Sequence, residues 1–289
     1  MNTDIKLVAL DLDRTTLNSE SHLSEVNRQA LIDAISNGVH VCIASGRAFD
    51  TLPEDIISVP GIEYAITSNG AAIYRIAGKE CLKSYLLTPS SVKTILNLTA
   101  NDTVTYEAFI KGQAFASTEY IRHPEKYGAT EHSLAYVKKT RILKDDIKDF
   151  ILEHCHELDS LDIVVGNKEL KKNIMDRIRN ATDEVYMTSS ISQLLEISYK
   201  DAGKKSGVKF LTEYLGLSRE NVAAFGDADN DTDMIEYAGT GIAMENAAPH
   251  LKQIADHITL HHDKDGVAYA FRNILNICLL YTSDAADDL

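Results

Sequence analysis

Two aspartates, Asp11 and Asp13, close the first apolar run of the chain, Lys6-Leu7-Val8-Ala9-Leu10. In an extended strand, residues two apart share a face, so both carboxylates are expected to point the same way. Neighbouring carboxylates repel and raise each other's pKa. A cation between them, or a division of labour between nucleophile and acid, removes that conflict. The plainer reading is that acidic residues often follow strands as turn formers or helix caps. A second acidic group, Gly226-Asp227-Ala228-Asp229-Asn230-Asp231, follows the apolar run Val222-Ala223-Ala224-Phe225. Carboxylate oxygens suit a hard cation such as Mg²⁺, the favoured reading over simple capping of the next helix by Asn230 or Asp231. The spacing is not that of a calcium loop closed by a distant Glu.

Other polar groups fall at similar places. Ser45-Gly46-Arg47 ends a second apolar run, and Ser68-Asn69-Gly70 a third. Gly203-Lys204-Lys205-Ser206-Gly207 opens a helical pattern, where free amide groups favour an anion and a lysine adds a full charge. It is not a P-loop, because the preceding glycine is missing and Lys205 stands at the Ser/Thr position. Gly239-Thr240-Gly241 is too short for a dinucleotide fingerprint.

The elements that must position these groups alternate strand and helix. Strands are expected at Ile5–Leu10, Val39–Ala44 and Tyr64–Thr67, with helices at Leu23–Asn37 and Phe49–Ser58. Such alternation implies a parallel sheet. Between about Leu87 and Glu196 the pattern changes to mixed helices and strands, with a hairpin at Lys111-Gly112. Alternation then resumes, with a helix over Lys205–Leu215, the strand Val222–Phe225, a helix over Asp231–Ala238 and a strand at Gly241–Met244. The expected fold is α/β, a doubly wound parallel-sheet core with an inserted α+β unit. Its parallel strands carry Asp11, Asp13, Ser45, Asn69 and Asp227 to one edge of the sheet, where ligands bind in such folds.

Bulk properties agree. The 289 residues are 44% hydrophobic and 25% charged, as in an ordinary globular protein of about two domains. A net charge of −14 argues against a broad nucleic-acid or anionic-membrane surface. Cys42, Cys81, Cys155 and Cys278 have no metal-type spacing, and Cys42 is expected to be a reduced, buried thiol. His154-Cys155-His156 places its histidines on different helix faces, and His261-His262-Asp263 reads as a solvated loop. The first residues do not resemble a signal peptide, so a cytoplasmic location is expected. The last residues, 279–289, lack periodicity and read as a disordered or non-native tail.

Asp11-Leu12-Asp13-Arg14-Thr15, Ser45-Gly46-Arg47, Lys204 and Gly226-Asp227-Ala228-Asp229-Asn230-Asp231 resemble the four ordered motifs of the haloacid dehalogenase superfamily. The chain is similar to the Cof-type sugar-phosphatase branch. Ser68-Asn69-Gly70-Ala71 and Asp265-Gly266-Val267-Ala268 support this, and the resemblance reaches about Ile277. It implies a Rossmann-like catalytic core over 1–86 and 197–278, with an α+β cap domain over 87–196 that selects substrate.

It also implies roles. Asp11 would attack phosphorus, and Asp13 would act as acid and base. Mg²⁺ would sit between the Asp11 and Asp227 carboxylates and the Asp13 backbone carbonyl. Ser45, Gly46, Arg47, Lys204 and Asn230 would contact the phosphoryl group, with Asp231, Asn69 and Thr15 in support. The implied activity is hydrolysis of small phosphorylated metabolites, sugar phosphates by the branch, with no protein partner evident. A phosphomutase or phosphotransferase, and a non-catalytic phosphometabolite-binding protein, are the alternatives. Three residues depart from the pattern: Arg14 for Gly, Thr16 for Leu, and Lys205 for the Gly after the motif lysine.

Overall fold

The computed structural model describes residues 4–277. Cys278 and the expected tail lie outside them. The first part supplies β1 (Leu7–Leu10), β2 (His40–Ala44), β3 (Tyr64–Thr67), β4 (Ala72–Arg75) and β5 (Glu80–Ser84). The middle supplies β6 (Thr105–Ile110), β7 (Gln113–Ser117), β8 (Ile142–Lys144), β9 (Leu158–Val164), β10 (Val185–Thr188) and β11 (Leu194–Tyr199). The last part supplies β12 (Val222–Gly226), β13 (Thr240–Ala243) and β14 (His257–Ile258).

The first sheet has the order β14-β13-β12-β1-β2-β3-β4-β5. It is parallel from β14 to β3, and β4 and β5 add an antiparallel edge. Strands β1, β3 and β12 are buried along their whole length, as expected where helices cover both faces of a parallel sheet. The second sheet has the order β10-β11-β9-β6-β7-β8 and is antiparallel except for the β7–β8 pair. Each sheet has its own apolar core: one gathers Leu10, Ile43, Ile66 and Phe225, the other Tyr106, Leu161, Ile163 and Ile197. The molecule is thus a Rossmann-like α/β core with an inserted α+β cap.

Local chemistry sets the boundaries. Ser24 accepts the Asn27 N–H at 3.1 Å and starts the helix Glu25–Ser36. The single helix expected over Phe49–Ser58 is corrected. A short 3₁₀ turn, Phe49–Thr51, and a separate helix, Glu54–Ile57, flank Pro53. Proline disfavours helical backbone in the residue before it, and Leu52 is extended. The β4–β5 hairpin was not expected, because β5 is mostly exposed and lacks a clear apolar alternation. Among the described residues, no helix is long and apolar enough to cross a membrane.

Candidate active site

β1 lies between β12 and β2, so the chain leaves it in one direction and later returns on the other side. A crevice opens at such a switch point. Asp11 follows β1 there, Ser45 follows β2, Asn69 follows β3 and Asp227 follows β12.

Asp11 is buried, and its N–H donates to the Phe225 carbonyl at 3.1 Å. Its Oδ1 accepts Lys204 Nζ at 2.7 Å, and the same ammonium donates to Asp231 Oδ1 at 2.6 Å. Lys204 opens the helix Lys204–Tyr214 and is fully buried. Two glycines make that approach possible. Gly70 (φ +89°) and Gly203 (φ +124°) touch so closely that a Cβ on Gly70 would lie 1.9 Å from the Gly203 oxygen. Asp231 Oδ2 accepts the N–H groups of Asp227 and Ala228 at 2.9 and 3.0 Å. The turn-forming reading of Asp231 therefore holds alongside its ion pair, and both of its oxygens are occupied.

Asp11, Asp227 and Asp231 offer oxygens that all lie within 4.8 Å of one another. One buried ammonium faces these three buried carboxylates. Burial, and then the Asp231 charge, push the Asp11 carboxyl well above the usual range. The same causes raise Asp227 to about 7. Lys204 is held charged, because Asp11 and Asp231 outweigh the effect of its burial. The other contacts of Asp227 are long: Thr15 Oγ1 at 3.3 Å, Asn246 Nδ2 at 3.5 Å and Arg14 Nε at 3.9 Å. Under-compensated carboxylates with loosely held oxygens fit a hard divalent cation such as Mg²⁺.

Asp13 stands apart. β1 ends at Leu10, and the chain turns through Leu12–Thr16 with Arg14 in the left-handed region (φ +62°). The expected repulsion of Asp11 and Asp13 is met by two separate cations. The Asp13 carboxylate takes a two-pronged contact from Arg47, Nε at 2.9 Å and Nη2 at 2.6 Å. Arg47 also donates to the Thr51 carbonyl at 3.3 Å and lies 4.8 Å over the Tyr136 ring. Ser45 is buried, and its Oγ accepts the Arg47 N–H at 3.2 Å. Asn69 accepts from Asn230 Nδ2 at 3.0 Å and donates to Glu196 at 3.1 Å. A Cβ on Gly46 would come within 3.0 Å of Glu196. Asp11, Asp13, Ser45, Gly46, Arg47, Asp227 and Asn230 line one cleft of about 1130 Å³ together with cap residues, and Asn69 braces it from behind.

Several lining or bracing residues escaped the sequence reading. Asn246 donates to the Arg14 carbonyl at 2.8 Å; its place just after the strand β13 was the available signal. Glu107, Asp162 and Glu196 carry no motif and are gathered only by sheet register, and Arg141, just before β8, joins them through Glu107. Tyr136 of the cap also lines the cleft. His262 is corrected from a solvated loop: it is buried, with Nδ1 3.0 Å from the Leu17 carbonyl oxygen and its N–H donating to Asn246.

A family model described as haloacid dehalogenase-like hydrolase matches residues 8–271. The chain is 32% identical to the 5-amino-6-(5-phospho-D-ribitylamino)uracil phosphatase YcsE of Bacillus subtilis, over 94% of this chain and 96% of that protein. It is 31% identical to the phosphatase YwpJ of the same organism, over 94% of this chain and all of that protein. Among solved structures, a haloacid dehalogenase-like hydrolase from B. subtilis superposes with a TM-score of 0.79 at 27% identity, covering 94% of this chain and all of that one. Matched along nearly its whole length by this family model and by phosphatases, the chain belongs to the haloacid dehalogenase-like hydrolase family, in its phosphatase class.

Proposed function

We propose that the chain is a Mg²⁺-dependent phosphatase of small phosphorylated metabolites, in the sugar-phosphate class, working through an aspartyl-phosphate. The observation that carries this reading is Asp11. It is a buried carboxylate at the switch point, fixed through one oxygen by Lys204 at 2.7 Å and facing Asp227 at the floor of the cleft. A carboxylate held by one oxygen leaves the other to attack phosphorus.

In the first step an Asp11 oxygen bonds to phosphorus and the bond to the leaving alcohol breaks. Asp13 supplies the alcohol's proton. In the second step a water attacks phosphorus, Asp13 takes its proton, and phosphate leaves Asp11. Splitting the hydrolysis in two lowers each barrier. Ser45, Gly46, Arg47, Lys204 and Asn230 surround the position of the phosphoryl oxygens, with Thr15, Asn69 and Asp231 bracing them. Arg47, now on Asp13, is placed to share its charge with an entering phosphoryl group. Mg²⁺, held by Asp11, Asp227 and the Asp13 carbonyl, would offset the phosphoryl charge.

The substrate class is supported by the first relative, whose named substrate carries a phosphorylated ribityl chain. A cytoplasmic setting belongs to the proposal, since Cys42, Cys81 and Cys155 are unpaired. The test is phosphate release from a panel of phosphomonoesters with Mg²⁺. Asp11→Asn is expected to lose turnover by at least about a thousandfold while keeping its fold. Wild-type turnover by that variant would overturn the mechanism. Chelation is expected to stop the reaction, and added Mg²⁺ to restore it.

A further inference from the structure

The cap sheet turns a row of carboxylates toward the cleft. Glu107 on β6 lies opposite Asp162 on β9, and Asp162 lies opposite Glu196 on β11. Directly opposed residues of neighbouring strands share a face, and all three line the cleft that holds Asp11 and Asp227. Each is more than nine-tenths buried. Buried carboxylates facing one another are costly unless something donates to them.

Their donors are unevenly shared. Glu196 uses both oxygens, one on Asn69 Nδ2 at 3.1 Å and one on the Ser190 N–H at 2.5 Å. Glu107 receives Arg141 Nε at 2.7 Å on Oε2, and Asp162 receives Ser160 Oγ at 2.9 Å on Oδ1. Glu107 Oε1 and Asp162 Oδ2 have no donor among the described residues. Two acceptors on adjacent strands therefore stand unpaired in the wall of the cleft. The two guanidinium groups against this wall are already engaged, while Lys139 lines the same cleft with an exposed side chain. Arg141 is paired with Glu107 and flanked by the rings of Phe109 and Tyr136, at 5.3 and 4.9 Å. Arg47 is paired with Asp13. The row begins beside the phosphoryl position, since Glu196 bonds Asn69 and Asn69 bonds Asn230.

We infer that Glu107 and Asp162 form the leaving-group subsite, accepting hydrogen bonds from an alcohol rich in hydroxyl donors and rejecting one that carries a second anion. The inference rests on the phosphatase reading of the core end of the cleft. A polyol phosphate would place its ester at Asp11 and satisfy both open oxygens with hydroxyl protons. A bisphosphate or a phosphorylated carboxylic acid would bring a second negative charge against this row of carboxylates.

The test measures kcat/KM for sorbitol 6-phosphate, phenyl phosphate, 3-phosphoglycerate and fructose 1,6-bisphosphate with Mg²⁺. Wild type is expected to favour sorbitol 6-phosphate over phenyl phosphate by at least about tenfold, since each satisfied buried acceptor is worth on the order of a kcal/mol. The two doubly anionic esters should fall below phenyl phosphate. Asp162→Asn, close to isosteric, is expected to lower the sorbitol-to-phenyl ratio at least about fivefold, and sorbitol should inhibit the variant less than wild type. If phenyl phosphate is hydrolysed but the wild-type ratio is near one, the doubly anionic esters are preferred, or the variant keeps the ratio, the subsite is overturned and the phosphatase reading stands. If no ester releases phosphate, the phosphatase reading falls and takes the subsite with it.

Discussion

Asn69 joins the two sheets: from its left-handed turn (φ +52°) after β3 it donates to Glu196 of β11 at 3.1 Å, while its own oxygen accepts from Asn230. One amide therefore sits between the loop after β12 and the cap. Asn is among the few side chains that tolerate this backbone, so the position demands conformation and hydrogen bonding at once.

The two demands separate by substitution. Asn69→Gly removes the amide and keeps the backbone, leaving the buried Glu196 one donor short. A loss of about 1–3 kcal/mol in urea unfolding is expected. Asn69→Ala should lose about 1 kcal/mol more, because alanine resists the left-handed region. Equal losses for both variants would show that the turn carries no conformational strain.

Lys204 compensates Asp11 and Asp231 from full burial. Lys204→Met keeps the volume and leaves two carboxylates without their cation, so a loss of about 3–5 kcal/mol is expected at pH 8 in chelator. Asp11 already has a raised pKa, and the variant raises it further. A carboxyl raised in the folded state favours folding at low pH, and that contribution disappears as pH rises through the folded value. The loss should therefore shrink between pH 8 and pH 5. A penalty independent of pH would mean that packing, not charge, is what Lys204 supplies.

Arg14 has a structural meaning that its sequence position hid. It occupies a left-handed backbone where glycine is at ease, and its exposed guanidinium lies 3.9 Å from Asp227. Arg14→Gly relieves about 1 kcal/mol of strain, offset by roughly 0.5–1 kcal/mol of added chain entropy, so stability should barely move. Removing a cation beside Asp227 should instead tighten Mg²⁺. At pH 8.5, where protons compete least, the half-saturating Mg²⁺ for phosphate release is expected to drop about two- to fivefold, the effect of a screened charge at this distance. An unchanged or weaker Mg²⁺ requirement would count against the cation site at Asp227.

How much of this could be read in advance depended on whether the signal was local. Asp11, Ser45, Asn69 and Asp227 each follow a buried apolar strand, and the parallel-sheet rule alone gathers them. Lys204 was marked by the glycine before it and the helical pattern after it. Asp13 shares the cleft with Asp11 but not through strand alternation: the strand stops at Leu10, and the turn hands Asp13 to Arg47. The row Glu107, Asp162 and Glu196 was invisible for a different reason. Its members are brought together only by antiparallel register, which sequence spacing within the cap does not fix. The division of the helix at Pro53 had a plain local cause and was readable; the β4–β5 hairpin, with one exposed strand, was not.

The last prediction concerns the junction between the sheets. Asp159 on β9 is buried against the core's β5, where Ser84 Oγ donates to Oδ1 at 3.1 Å, while Oδ2 is buried with no partner among the described residues. Burial raises its carboxyl to about 6. An unfolded aspartate titrates near ~3.9, so the folded state holds the proton more tightly. The stability this group contributes is present below about pH 4 and is lost as pH rises through about 6. Asp159→Asn removes the titration and keeps the shape. In chelator, variant and wild type should be nearly equally stable at pH 4. By pH 8 the variant should be more stable by on the order of 1–2 kcal/mol, the shift of roughly two units reduced by the cost of an unpaired amide. Urea unfolding at pH 4, 6 and 8 reads this directly. A difference that stays constant across the three would mean that Asp159 is ionised at every pH and that its burial is relieved by a donor from outside the β5–β9 contact.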